Sequence, residues 1–136
     1  MQNEWCKWVP LDNVAQQYSL ESLVDLDSSL TVTLVDIFDS SKKIQVCSEG
    51  PVFSYQCTDL NMRSCTVEKL CEIAGDNFMQ WTFFKVENSA LSEWLSSQSF
   101  DFIPLNNFVH VVLVTTDTVI DIVGRFEPKV MFVHAA

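Results

Sequence analysis

Two carboxylates, Asp117 and Asp121, stand inside HVVLVTTDTVIDIVGRFEPKV (residues 110–130), a stretch otherwise rich in strand-forming apolar residues. Paired carboxylates can divide acid and base work, one protonated and one ionised, provided that the fold aims both at one substrate atom. Here they lie four residues apart across a join between two strand-like runs, and that spacing imposes no common direction. A structural role accounts for each. Asp117 sits at the join, where an aspartate side chain bonds to nearby backbone N–H groups. Asp121 shares a strand face with Val119 and Val123, so it must be exposed, bonded to backbone, or paired with a cation such as Arg125 or Lys129.

The other reactive residue types are scattered. His110 alternates with Val112 and Val114, as a hydrogen-bonded core histidine would, and His134 lies far from it, so neither marks a metal cluster or a Cys–His pair. Cys6 stands beside Lys7 and between Trp5 and Trp8, where partial burial accounts for it better than a thiolate nucleophile. Only Gly50, Gly75 and Gly124 are glycines, which excludes a Gly-rich phosphate loop and the Walker and dinucleotide-binding patterns. Trp81 and Trp94 fit core-facing positions better than stacking platforms. No catalytic residue, cofactor or metal site is expected.

EWCKWVPL suits a short edge strand ending at Pro10. Residues 11–27 place Leu11, Val14 and Tyr18, then Leu20, Leu23 and Val24, at spacings of three and four, which predicts one or two short helices with Asp12 or Ser19 as caps. Three strand-like runs, 30–38, 42–47 and 52–57, are joined by DSSK and SEGP. Tight turns there predict a β-meander in which Val35 and Ile37 face Val46 and Ile44, with Cys47 opposite Leu34 or Val52, Cys57 near Lys42, and no cross-strand disulfide. A helix over 64–75 takes Ser64 or Thr66 as its cap and Gly75 at its end. A long strand over 78–87 leads into a helix over 88–99, capped by Asn88 or Ser89, with Leu91, Trp94 and Leu95 facing inward. Residues 108–116 form a central strand covered on both sides, 118–124 return beside it, and 129–133 add a last strand. The fold class is α+β, one domain over residues 1–136, with a mainly antiparallel sheet packed with two to four short helices.

Composition sets the sign of any partner. With 18 acidic against 8 basic residues the net charge is −10, which repels nucleic acid and anionic membrane and favours a basic protein. Five cysteines, an odd number without a CxxC pair, suit a reducing cytosol, and MQNEWCKWVP has none of the parts of a secretory signal. The chain reads as cytoplasmic.

Residues 80–133 carry a strand ending in Val86–Ser89 (VENS), a helix with Trp94, a strand led by His110, Ile120–Val123 (IDIV) and Pro128. This order resembles a group of small bacterial immunity proteins from contact-dependent growth inhibition and related polymorphic toxin systems. The resemblance implies an acidic antitoxin that works by protein–protein interaction, binding and neutralising a cognate toxin domain, often a nuclease, by occluding its active site or an adjacent surface. Candidate toxin contacts are the carboxylates at turns and between elements, Asp25, Asp27, Asp39, Glu49 and Asp59. The alternative is a small-ligand-binding module or small enzyme whose pocket lies against the sheet, with His110 or Asp121 as polar contacts.

Overall fold

Nine strands build two antiparallel sheets, as described by a computed structural model for residues 3–75 and 80–133. The strands are β1 (Glu4–Lys7), β2 (Tyr18–Leu26), β3 (Ser29–Asp36), β4 (Lys43–Ser48), β5 (Val52–Asp59), β6 (Phe83–Glu87), β7 (Val109–Val114), β8 (Thr118–Gly124) and β9 (Lys129–Val133). Two α-helices, α1 (Ser64–Ala74) and α2 (Ala90–Gln98), occur among the described residues. One sheet has the order β1-β6-β7-β8-β5 and the other β2-β3-β4-β9. The chain is therefore α+β with antiparallel sheets and short helices, as the sequence indicates.

The five-stranded sheet is the middle layer. One of its faces contributes Phe83, Val111, Leu113, Ile120 and Ile122 to a core closed by Val32, Leu34, Ile44 and Val46 of the four-stranded sheet. Its opposite face contributes Phe84, Val86, Val112, Val114 and Val119, which pack with Leu70 of α1. Strands β7 and β8 are covered on both sides, which is why they are apolar at both parities. His110 and Asp121 lie on the helix-facing side, in phase with Val112 and Val119.

Several expectations are overturned. The chain leaves the β-meander after β4: the backbone turns at Gly50, whose φ is +100°, and β5 crosses to pair with β8, while β9 takes its place beside β4. The β3–β4 register sets Val32 against Val46 and Leu34 against Ile44, so Leu34 is core and Ile37 is exposed. Cys47 lies opposite Thr31 and Lys129, and Cys57 opposite Ile120; all five cysteines are free thiols.

Residues 18–26 form strand β2, not a helix. A bulge between Leu20 and Ser22 inserts Glu21, so Leu20 and Leu23 oppose Leu34 and Val32 and both reach the core although three residues apart. The bulge counterfeits a helical spacing, and neither Asp12 nor Ser19 caps a helix. Strand β6 begins only at Phe83; positions 78 and 79 of the expected long strand lie outside the described residues. Helix α2 turns Ser92 and Ser96 toward the sheet and leaves Trp94 exposed, against the inward position expected for it.

Candidate functional site

A line of polar side chains runs between the five-stranded sheet and the helices. Asp121 on β8 is buried and faces His110 on β7, whose Nε2 lies 2.9 Å from its Oδ1. The other ring nitrogen, Nδ1, lies 2.7 Å from Ser89 Oγ. Because a carboxylate only accepts, Nε2 carries the proton, and in the neutral ring Nδ1 accepts from the Ser89 hydroxyl. Arg63, just before α1, closes the other end: Nη1 donates to Asp121 Oδ2 at 2.6 Å and Nε to Thr66 Oγ1 at 3.0 Å. Burial pushes the Asp121 carboxyl up, but hydrogen bonds from His110 and Arg63 together with the guanidinium charge outweigh it and hold the group below the ordinary aspartate range. Asp121 is thus an anion paired with Arg63, not with Arg125 or Lys129.

Local sequence explains the ends of this line. Ser89 is the N-cap of α2, in extended conformation, and its Oγ accepts from Ser92 N at 3.1 Å. Arg63 occupies the same position before α1 without a side-chain cap bond, so neither Ser64 nor Thr66 is the cap, whereas Gly75 ends that helix with φ +64°. The network therefore pins the starts of both helices to the two central strands. A cleft of about 580 Å³ opens beside Ser89 and His110, rimmed by Glu87, Asn88, Leu105 and Asn106.

Serine, histidine and aspartate stand in the hydrogen-bond order of a nucleophile, a base and its orienting carboxylate, but Ser89 and His110 are both buried and the serine is also the cap of α2. The Ser89 oxygen accepts the helix N–H while its proton points at the ring, and the Asp121 charge is held by Arg63. What the line does chemically is hold one proton in place and neutralise one buried carboxylate with a half-buried cation. Other candidate nucleophiles fare no better: burial, then Glu87, push the Cys6 thiol up despite nearby Lys85, which disfavours the thiolate. Asp117 is an exposed turn residue whose carbonyl accepts Leu60 N at 2.9 Å and whose carboxylate accepts from Thr115 Oγ1 at 3.5 Å, and no hydrogen bond joins it to Asp121. His134 lies outside the described residues. No cluster of three or more metal-ligating side chains occurs among the described residues, and none of their helices is long and apolar enough to cross a membrane.

The five candidate contact carboxylates do not form one cluster. Asp25, Asp27 and Glu49 share one end of the four-stranded sheet, since Asp25 pairs with Leu30 and Leu30 with Ser48. There Asp25 Oδ2 accepts from Tyr55 Oη at 3.1 Å and Glu49 meets Lys129 at 3.2 Å. Asp39 lies at the opposite end, in the β3–β4 turn, where hydrogen bonds from the Ser41 hydroxyl and N–H lower its pKa. Asp59 is at the end of β5, accepting from Asn61 N at 2.8 Å. Arg63 was invisible to pattern reading because it belongs to a connection, although a buried Asp121 signals that some cation must reach it. No protein-family model, no curated protein and no solved structure matches this chain.

Proposed function

We propose that the chain is an immunity protein that binds and neutralises a basic toxin domain, a nuclease in the first instance, in the cytoplasm where such a toxin acts. The observation that carries this reading is the state of its cations. Lys42, Lys43, Arg63, Lys69, Lys85 and Lys129 each meet a carboxylate of the same chain, namely Asp39, Glu21, Asp121, Glu72, Glu127 and Glu49. The remaining two, Lys7 and Arg125, lie over the rings of Trp81 and Phe126. With all eight cations so engaged and a net charge of −10, the field offered to a partner is negative over much of the surface. Such a field steers a basic protein into encounter and repels nucleic acid, which a nuclease inhibitor must not bind. The resemblance of residues 80–133 to immunity proteins supplies the biological role.

The test is co-expression with the toxin domain encoded beside this chain's gene. Growth arrest by the toxin should be relieved, and a complex should be isolated whose association weakens with salt. Continued arrest with no complex would sink the proposal. A second reading is favoured by one observation: Ser92 Oγ, on the wall of the Ser89–His110 cleft, is buried without a hydrogen-bond partner. A small polar ligand in that cleft would supply one. Saturable stabilisation by a small-molecule fraction, abolished in Ser92→Ala, would favour this reading over the inhibitor.

A further inference from the structure

The turn that ends α2 holds a strained conformation that buries neither of the phenylalanines it carries. Ser99 is the C-cap, and the next residue adopts left-handed backbone, as in the motif where Phe100 N–H bonds Ser97 O at 3.1 Å and Asp101 N–H bonds Ser96 O at 2.8 Å. Glycine or asparagine normally fills that position. Here it is Phe100, with φ +55°, followed by a second left-handed residue, Asp101, at φ +58°. Left-handed backbone is costly for a bulky side chain and persists only where the surroundings over-determine it. They do so through buried Ser96, whose Oγ donates within 3.2 Å of both Asp101 Oδ1 and Ile103 O, and through Ser99 Oγ on Ser96 O.

The strained turn buries neither aromatic side chain. Phe100 is 95% exposed and Phe102 84%, while Trp94 on the outward side of the preceding helix is 56% exposed. Large aromatics presented to water on a hydrogen-bonded turn mark an interface, because the backbone that carries them is already ordered before binding. The segment that carries them is acidic: from Val86 to Gly124 the chain has no lysine or arginine, and Asp101, between the two phenylalanines, is a carboxylate fixed at the turn by Ser96.

The geometry points to Phe100 and Phe102, with Asp101 between them, as the anchor that inserts into an apolar pocket ringed by basic residues on the toxin domain. This rests on the neutralisation reading above and names its contact site. The anchors are two phenylalanines and the carboxylate fixes their approach; Asp25 and Asp27, at one end of the four-stranded sheet, contribute to long-range steering only.

The test pairs the purified chain with the purified toxin domain encoded beside it, measuring affinity by calorimetry, rescue of growth and thermal unfolding. Phe100→Gly relieves the left-handed strain, so its unfolding midpoint should rise by about 2–4 °C, as a gain near one kilocalorie brings in a chain of this size. The double variant Phe100→Gly, Phe102→Ser should bind at least ~30-fold more weakly, the loss typical of a truncated interface anchor, and should fail to rescue. Asp25→Asn with Asp27→Asn should change affinity less than ~3-fold, since exposed charges contribute little. If the wild-type chain protects and the double variant protects equally, the anchor assignment is overturned while neutralisation stands. Failure of the wild-type chain itself to bind or protect removes both. A lower midpoint for Phe100→Gly would overturn the strain argument whatever the binding result.

Discussion

At the scale of single residues, Asp121 carries the largest consequence. It is the shared acceptor of Arg63 and His110, so replacing its charge leaves a guanidinium partly buried without a counterion. Removing one partner of a buried pair costs about 3–5 kcal/mol, and Asp121→Asn should lose stability in that range by denaturant unfolding. The pH dependence has a definite sign. The folded carboxyl titrates below its unfolded counterpart, so its contribution is fully present above the ordinary aspartate value of about 4 and is lost as pH falls through the lower folded value. The gap between wild type and Asp121→Asn should therefore begin to narrow as pH falls below about 4 and go on narrowing toward the lower folded value; a gap independent of pH throughout would show that charge is not the cause. Ser89→Ala removes the cap of α2 and the partner of His110 Nδ1 together, and should cost about 1–2 kcal/mol. If Ser89 were instead a nucleophile, activity would vanish without loss of stability.

At the scale of elements, the departure of β5 from the neighbouring sheet depends on one turn. Gly50 has φ +100°, and a Cβ there would meet the Phe126 ring at 3.6 Å, ordinary contact, so backbone strain alone sets the penalty. Gly50→Ala should therefore cost about 1–2 kcal/mol, read as a shift of the urea midpoint at unchanged slope. This turn also shows where pattern reading stopped. SEGP between two strand-like runs looks like a hairpin, and nothing local says that β5 will seek β8, some seventy residues away, rather than β4. By contrast α1, α2 and the β7–β8 hairpin were legible because a cap, a stop or a join stands at their ends: Gly75, Ser89 and Asp117. Strand β2 was misread for a physical reason, since the Glu21 bulge moves Leu20 and Leu23 onto one face at a helix-like interval. The site was legible only in part: His110 and Asp121 could be placed on strands, but Arg63 reaches them through tertiary structure. The Phe100 turn was not legible, because a phenylalanine where glycine is usual gives no local sign of left-handed backbone.

At the scale of the whole molecule, a net charge of −10 opposes folding and favours a basic partner, and salt separates the two effects. Spreading that charge over a sphere of roughly 18 Å radius in water gives a self-repulsion on the order of 10 kcal/mol without screening. The expanded chain escapes much of it, and a Debye length of about 8 Å at physiological ionic strength suppresses much of the rest. Salt also screens the intrachain ion pairs, but those with both partners exposed, such as Lys69–Glu72 and Lys129–Glu49, are worth only about 0–1 kcal/mol each. Repulsion therefore dominates, and raising sodium chloride from low concentration to physiological strength should raise the unfolding midpoint. Association with a basic toxin domain should respond in the opposite direction, its rate constant falling by about tenfold or more over the same change while the dissociation rate moves little. Stopped-flow mixing and thermal melts in one salt series would measure both. An association rate indifferent to salt would mean that the acidic surface does not steer the encounter, leaving recognition to the apolar anchor alone.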